Sequence, residues 1–184
     1  MMDDDKPAMR IRTATHEDRD SINDIYSSAF PKSESEPVAK LAVDLLSEHS
    51  TPKPFSLIAE IDGLVVGHIA FSPVEIDDHE DFQAYILAPL AVRPAYQKRG
   101  IGSALIEYGM RQWSAMNINA VFVYGDPDYY GQFGFDRDAA RNYPAPYPLH
   151  YPFGWQAIVL NECALEKTPA AIRCVAALCD PNLW

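Results

Sequence analysis

The most restrictive feature of this sequence is an apolar run that passes through a basic, glycine-containing loop into an amphipathic segment. Residues 83–92 are apolar almost throughout, which predicts a central strand that is covered on both faces. After the loop 93–99, apolar residues recur at helical spacing from Ile101 onward, as at Leu105. A helix begins with about four unpaired backbone N–H groups and roughly half a positive charge. The order strand, loop, helix therefore predicts an α/β fold with an anion-binding site at residues 97–102.

The glycines of this loop have a spacing that distinguishes several kinds of phosphate site. Gln97, Gly100 and Gly102 fit the pattern Gln/Arg-x-x-Gly-x-Gly/Ala. The Gly-x-x-x-x-Gly-Lys-Ser/Thr pattern of nucleotide hydrolases does not occur in the chain. A dinucleotide fingerprint needs a third glycine where this chain has Leu105, followed about twenty residues later by an acidic residue. Taken alone, the spacing also fits a glycine-assisted helix start that binds no ligand.

The charge of the chain limits its partners. Its 184 residues carry a formal net charge of −11, from 15 Lys and Arg against 26 Asp and Glu. A field of this sign repels phosphate backbones, so nucleic acid is disfavoured as a partner, whereas amines are attracted. An acidic surface that only maintains solubility is the alternative explanation. Against this background, Lys98 and Arg99 place positive charge beside the predicted anion site.

The sequence shows no sign of a membrane segment or a metal site. No stretch approaches the roughly 18–20 consecutive apolar residues that cross a bilayer, and the N-terminus is acidic and polar, unlike a signal peptide. Cys163, Cys174 and Cys179 are odd in number, and no histidine or further cysteine stands nearby at ligand spacing. These features predict a cytoplasmic protein with free thiols, no membrane contact and no metal.

The remaining sequence divides into helical and strand-like segments. Its length fits one domain over residues 1–184, with 1–8 as a flexible leader. Asp62-Gly63 predicts a hairpin turn, and the tyrosine- and proline-rich segment 143–153 predicts an extended loop. Residues 169–179 fit either a helix or a strand. Further strands are predicted over 10–14, 55–61, 64–74, 120–124 and 156–160. Helices are predicted over 16–29 with Thr15 as cap, after Glu36-Pro37, and over 129–133.

Two longer motifs resemble a known family. The run from Leu90 to Ile106, Leu-Ala-Val-Arg-Pro-Ala-Tyr-Gln-Lys-Arg-Gly-Ile-Gly-Ser-Ala-Leu-Ile, resembles the acetyl-CoA-binding motif of the GNAT superfamily of N-acetyltransferases. The run 121–135 contains Gly-Asp-Pro-Asp-Tyr-Tyr-Gly-Gln-Phe-Gly-Phe, which is similar to the pattern of the YhbS-type branch of that superfamily. Two specific motifs at the expected separation identify the chain as a member by resemblance.

The resemblance implies a fold and a cofactor site. The fold is a mixed, mostly antiparallel sheet with helices on both faces, splayed in a V between strands that end near Val92 and Tyr124. In the V, the pantetheine of acetyl-CoA pairs with the backbone at Leu90 and Val92. The N–H of Leu90 is a candidate oxyanion donor, and the diphosphate rests on the amides of 97–102. The resemblance also favours a strand over 172–178. The implied cofactor-binding residues are Leu90, Ala91, Val92, Gln97, Lys98, Arg99, Gly100, Ile101, Gly102 and Ser103.

The resemblance also implies one catalytic side chain. In the family, a tyrosine four residues before the glycine of Gly-Phe often protonates the departing CoA thiolate, and that position here is Tyr130. A phenol with a pKa of about 10 is protonated at neutral pH and able to donate. The alternative is that Tyr130 only packs in an aromatic cluster with Tyr129 and Phe133.

The sequence does not identify the base that takes a proton from the attacking ammonium. Some relatives carry a glutamate on the central strand, but residues 85–92 contain no acid. The nearest polar residues in sequence are Glu75, His68 and Gln83, and His68 fits better as a core residue that satisfies a backbone group. A chain of water molecules to bulk solvent is the simplest hypothesis.

The predicted function is transfer of an acetyl group from acetyl-CoA, by direct attack, to a primary amine of a small molecule, peptide or protein. The alternatives are a catalytically silent module that senses acyl-CoA, and an acyltransferase for a longer acyl group or a hydroxyl acceptor. Acceptor pockets in this fold would draw on residues 26–40, 75–84 and 141–155, in segments that vary freely. The sequence leaves the oligomeric state open between a monomer and a homodimer.

Overall fold

The computed structural model describes residues 8–161 and 169–184. Most of the predicted leader 1–8 lies outside the described residues, as do Cys163 and Thr168, and the single domain over 1–184 stays a prediction. No helix in the described residues is both long and apolar enough to cross a membrane.

The strands are β1 Met9–Thr13, β2 Phe55–Ile61, β3 Leu64–Ile76, β4 Ala84–Val92, β5 Ala120–Tyr124, β6 Trp155–Val159 and β7 Ile172–Cys174. The helices are α1 Arg19–Ala29, α2 Lys32–Leu46, α3 Ile101–Ala115 and the short α4 Pro127–Tyr130.

The strands that the structure describes form one sheet. Their order is β1-β2-β3-β4-β5-β6, and β7 pairs with the end of β3. All neighbouring pairs are antiparallel except β4 and β5, which are parallel. The hairpin between β2 and β3 turns at Asp62 and Gly63, whose φ angles of 51° and 78° are both positive, as a type I′ turn requires. The predicted mixed, mostly antiparallel sheet is therefore confirmed.

Helices cover both faces of the sheet. Successive residues of a strand point to opposite sides, so one strand contributes side chains to the packing on both faces. On β4, Tyr85 and Leu87 pack in the same cluster as Leu105 of α3. Ala84 and Ile86, which alternate with them, belong to the cluster on the opposite face, where α2 packs. The apolar run that predicted a central strand thus reflects burial on both sides.

β4 and β5 separate towards one end of the sheet. Their pairing ends where Leu87 lies opposite Val123. β4 continues to Val92 beside β3 alone, past a bulge that contains Pro89. A proline has no N–H to donate to a neighbouring strand and is tolerated at a bulge. The predicted V between the strands that end near Val92 and Tyr124 is therefore confirmed.

The prediction for the start of the second helix is wrong. α2 begins at Lys32, and Pro37 lies inside the helix rather than in front of it. Pro31 precedes the helix, and its carbonyl accepts the N–H of Glu34 at 2.9 Å. Pro37 removes one backbone hydrogen bond, and burial of apolar residues such as Leu41 offsets that loss.

Residues 169–179 are part strand and part 3₁₀ helix. Ile172–Cys174 pair with β3, and Ala176–Leu178 form a 3₁₀ turn. The expected strand over 172–178 is thus right for its first residues and wrong for the rest. The turn directs Leu178 into the apolar core, where 2% of its surface is exposed. Packing against the core therefore ends the strand.

Arg12 connects Asp18, the residue before α1, to the edge of the sheet. Arg12 of β1 donates to both carboxylate oxygens of Asp18 at 2.8 Å and to Glu60 of β2 at 2.9 Å. The Asp18 side chain is 7% exposed, and its hydrogen bonds from Arg12 lower its pKa. The same carboxylate accepts the N–H of Thr15, the predicted cap, at 2.8 Å. This network fixes the direction in which α1 leaves the sheet.

Replacing Asp18 with asparagine should lower the free energy of unfolding by about 1–3 kcal/mol near pH 7, because Arg12 loses the less exposed of its two carboxylate partners. The pKa of this carboxyl is lower in the folded chain than in the unfolded chain. The stability it contributes is therefore present above the unfolded value of about 3.9 and is lost as pH falls through the folded value. Urea unfolding near pH 7 and near pH 2 should show the difference shrinking in acid.

The exposed pair of Asp138 and Arg141 provides the control for this prediction. Asp138→Asn should leave the stability unchanged, since exposed ion pairs contribute little. Equal losses in the two variants would contradict the role given to Asp18.

Candidate active site

The last residues of β4 present backbone groups to the open side of the V. The N–H of Arg93 donates to the carbonyl of Val66 on β3 at 2.8 Å. In antiparallel pairing, residues alternate between bonding to the partner strand and pointing away from it. Leu90 and Val92 alternate with Arg93 in this pattern, so their N–H and C=O groups point to the side that β5 has left. An extended ligand can add hydrogen bonds to such an edge.

The loop after β4 presents a row of backbone amides at the start of α3. Lys98 and Gly100 have positive φ angles of 60° and 79°, so the chain turns sharply before α3. The N–H of Ala104 donates to the carbonyl of Gly100 at 2.9 Å. In the described part of the chain, the N–H groups of residues 100–103 donate to no backbone carbonyl. Together with the N-terminal dipole of α3, these amides form a cradle for an anion.

Two side chains of this loop contact the protein itself. Gln97 donates through Nε2 to the carbonyl of Val92 at 3.0 Å, which connects the loop to the end of β4. The Arg99 guanidinium carbon lies 5.2 Å from the centre of the Tyr96 ring, a cation–π arrangement. Both contacts hold the loop in place in front of α3.

A cleft of about 410 Å³ lies between the end of β4, the loop and the start of α3. Every site residue predicted from the sequence borders it except Arg99, which lies over the Tyr96 ring instead. The residues brought together are Leu90, Ala91, Val92, Gln97, Lys98, Gly100, Ile101, Gly102, Ser103 and Tyr130.

Two glycines allow close approach around the start of α3. A Cβ added at Gly67 of β3 would lie 3.0 Å from the Ile101 side chain, so its absence lets the helix start lie close to the sheet. A Cβ added at Gly102 would lie 2.7 Å from the Tyr129 hydroxyl, which also borders the cleft. A larger residue at position 102 would therefore displace the Tyr129 hydroxyl.

Tyr130 forms the opposite wall of the cleft. Its ring meets those of Tyr129 and Phe135 edge-on, at centroid distances of 5.1 and 5.9 Å, while the expected partner Phe133 contacts Tyr129. A Cβ on Gly125 would overlap Cε2 of Tyr130, so this glycine lets the ring lie against the chain. Burial, and to a lesser extent Tyr129, raises the pKa of Tyr130 above its usual value, which keeps the hydroxyl protonated.

None of the polar residues considered as a general base borders the cleft. His68 is fully buried, and burial lowers its pKa to about 3, so it is neutral at physiological pH. Its Nδ1 lies 2.8 Å from the Tyr26 hydroxyl, so the expectation that it satisfies a backbone group is wrong. Glu75 lies near the far end of β3, 3.5 Å from Arg173, and Gln83 precedes the opposite end of β4.

Sequence reasoning missed four residues that border the cleft, namely Ala29, Phe30, Tyr96 and Tyr129. Tyr96 and Tyr129 lie inside the two motifs that carry the family resemblance, so a signal for them was available. Ala29 and Phe30 come from the end of α1, which only the tertiary fold brings to this place.

A second cavity, of about 350 Å³, adjoins the cleft. The two share Phe30, Leu90 and Tyr130, which therefore form the boundary between them. Its other walls come from α2, from β4 next to the bulge, from the start of α4 and from the C-terminal segment.

The regions expected to form an acceptor pocket reach this cavity only in part. Residues from 26–40 border it, whereas none from 75–84 or 141–155 does. The segment 75–84 instead lines a groove at the far end of β3. The segment 141–155 packs partly on the protein itself, as where Tyr143 stacks with Phe82 at a centroid distance of 6.4 Å.

Comparison with known proteins places this architecture in a family. The model of the acetyltransferase (GNAT) domain matches residues 10–137. The chain is 38% identical over 134 residues to the uncharacterized N-acetyltransferase YjhQ of Escherichia coli K12, covering 72% of each chain. It is 33% identical over 141 residues to the uncharacterized N-acetyltransferase YhbS of the same strain, covering 76% of this chain and 81% of that one.

Solved structures agree with this assignment. The crystal structure of Escherichia coli YhbS in complex with CoA matches with a TM-score of 0.81 and 28% identity, covering 96% of this chain and 95% of that one. A GNAT-family acetyltransferase from Brucella melitensis in complex with acetyl-CoA matches with a TM-score of 0.68 and 30% identity, covering 92% and 97%. The chain belongs to the GNAT family of N-acetyltransferases. Within that family it is similar to YhbS, as the second motif predicted.

Replacing Gly125 with alanine should lower the free energy of unfolding by about 1–3 kcal/mol, because the added methyl group displaces the Tyr130 ring. The matched control is Gly131→Ala, where a Cβ meets nothing within 4 Å and φ is −58°. Thermal unfolding should show a lower Tm for the first variant and an unchanged or slightly higher Tm for the second. Two equal Tm values would contradict the close contact at Gly125.

Proposed function

We propose that this chain is an enzyme that transfers the acetyl group of acetyl-CoA to a primary amine. The observation that carries the proposal is that the free edge of β4, the amide cradle before α3 and Tyr130 border one cleft. Two solved relatives hold CoA or acetyl-CoA, which supports the same cosubstrate here.

In this proposal, acetyl-CoA binds mainly through backbone groups. Its pantetheine adds to the free edge of β4 and bonds to Leu90 and Val92. Its diphosphate accepts hydrogen bonds from the amides of residues 100–103, with Lys98 and Arg99 supplying positive charge nearby. The thioester carbonyl then lies at the N–H of Leu90, which stabilises the negative charge that develops on oxygen.

The chemistry is direct transfer. The amine nitrogen attacks the thioester carbonyl carbon, and the C–S bond breaks once the C–N bond has formed. An acceptor that arrives as an ammonium loses two protons from nitrogen, one before the attack and one after it. The departing thiolate takes up one proton, so the products are an amide, the CoA thiol and one proton released to solvent.

Tyr130 donates the proton that the thiolate takes up. Burial raises the pKa of Tyr130, so the hydroxyl is protonated when the C–S bond breaks. Among the described residues that line the cleft there is no carboxylate and no imidazole. In this proposal, the first proton of the ammonium leaves through water molecules to bulk solvent.

Isothermal titration tests the cofactor site. Acetyl-CoA and CoA should bind, whereas ATP should not, because ATP lacks the pantetheine that pairs with β4. Lys98→Glu should weaken acetyl-CoA binding about tenfold, since it replaces an attraction to phosphate with a repulsion. The control Lys53→Glu makes the same charge change outside the cleft and should leave the affinity unchanged. Well-folded protein that binds no CoA would refute the proposal.

Tyr130→Phe tests the proton donor. The variant should lower kcat by about 100-fold, because the thiolate loses its acid, while the dissociation constant of acetyl-CoA stays the same. Thiol release with primary amines measures kcat, and titration measures the affinity. Tyr108→Phe removes a hydroxyl from α3 outside the cleft and serves as the control. Unchanged turnover in Tyr130→Phe would exclude Tyr130 as the acid.

Tight cofactor binding without turnover in the wild type would favour the catalytically silent alternative.

A further inference from the structure

The second cavity leads to the point where an acceptor meets the thioester, and the inference drawn from it rests on the proposed function. This cavity shares Phe30, Leu90 and Tyr130 with the cofactor cleft. In the proposed binding mode, the thioester carbonyl lies at Leu90. A molecule held in the second cavity therefore faces the reacting carbon without entering the space of the cofactor.

The walls of this cavity are mainly apolar and come from separate parts of the chain. α2 contributes Val38, the bulge of β4 contributes Pro89, and the C-terminal segment contributes Leu183 and Trp184. The Trp184 ring stacks with Tyr124 at a centroid distance of 6.4 Å and an interplanar angle of 17°, which holds the indole in the wall. Surfaces of this kind gain free energy by covering an apolar or aromatic group.

One acidic side chain borders the cavity, and it belongs to Asp126. Asp126 is the only charged side chain among the described residues that line it. Its Oδ1 accepts the N–H of Asp128 at 2.9 Å, which fixes the carboxylate at the start of α4. The same short helix carries Tyr130 one turn later. Asp126 caps α4 and borders the second cavity, whereas Tyr130 ends α4 and borders both cavities.

We propose that the acceptor is a primary amine carried on an aromatic or branched aliphatic body that has no carboxylate. The ammonium group approaches Asp126 and Tyr130, and the apolar body lies against Leu183 and Trp184. An amino acid with the same body would bring its carboxylate beside Asp126, into a wall whose described residues include no cationic side chain. A polyamine would place a second ammonium against apolar side chains. The charge pattern therefore selects against both classes.

Three acceptors that differ in charge test this assignment. Thiol release from acetyl-CoA is measured with 2-phenylethylamine, with phenylalanine, which adds a carboxylate to the same body, and with spermidine. The value of kcat/KM for 2-phenylethylamine should exceed the other two by about 100-fold or more. Equal or better use of phenylalanine or spermidine overturns the assignment and leaves acetyl transfer standing. No turnover with any amine, in protein that binds acetyl-CoA, overturns the proposed function and this inference with it.

Variants of the wall give a second, independent readout. Leu183→Arg supplies the missing cation and should raise kcat/KM for phenylalanine relative to 2-phenylethylamine about tenfold. Leu160→Arg, an equivalent change at an exposed residue outside the cavity, should leave that ratio unchanged. An unchanged ratio in Leu183→Arg, with circular dichroism showing a folded protein, places the acceptor elsewhere and refutes the assignment.

Asp126→Asn tests the recognition of the ammonium group. Asparagine keeps the side-chain oxygen that caps α4 but removes the charge. The KM for 2-phenylethylamine should rise about fivefold, since an exposed charge contributes about 1 kcal/mol, while the KM for acetyl-CoA should not change. A rise in the KM for acetyl-CoA alone would contradict the role given to Asp126.

Discussion

The candidate site depends on the separation of β4 from β5 beyond Leu87 and Val123. Backbone N–H and C=O groups in a protein interior are almost always paired, so an unpaired strand edge persists where water or a ligand can reach it. A bulge with a proline begins the unpaired stretch of β4, and Leu90 and Val92 keep outward-pointing groups as a result. Had the strands stayed paired to their ends, β5 would have used these groups and closed both cavities.

The positive end of α3 and its basic loop act locally in a chain of net charge −11. Screening limits the interaction of exposed charges to about 8–10 Å at physiological salt. The distant carboxylates therefore oppose a phosphate only weakly, whereas the amides of 100–103 and Lys98 are at the cleft itself. The acidic surface and an anion-binding cradle are compatible for this reason.

Local sequence signals predicted much of this structure and failed where tertiary packing decides. The hairpin at Asp62-Gly63 and the start of α3 follow from turn chemistry and periodicity, whereas most of the cleft residues follow from the family resemblance. Pro37 reads locally as a helix boundary, but the burial of α2 overrides that signal. The contribution of Leu183 and Trp184 to the second cavity has no local signature, because it exists only once the C-terminal segment has folded back over the sheet.

The two cavities differ in how they are distributed along the chain. Most residues at the cleft before α3 lie in one continuous segment, 90–103, whereas the walls of the second cavity come from α2, β4, the start of α4 and the C-terminal segment. Substitutions in these distant segments can alter one cavity and leave the other intact. Under the proposed function, two proteins that share the continuous segment can take the same acyl donor and modify unrelated molecules, so likeness in that segment is no guide to the acceptor.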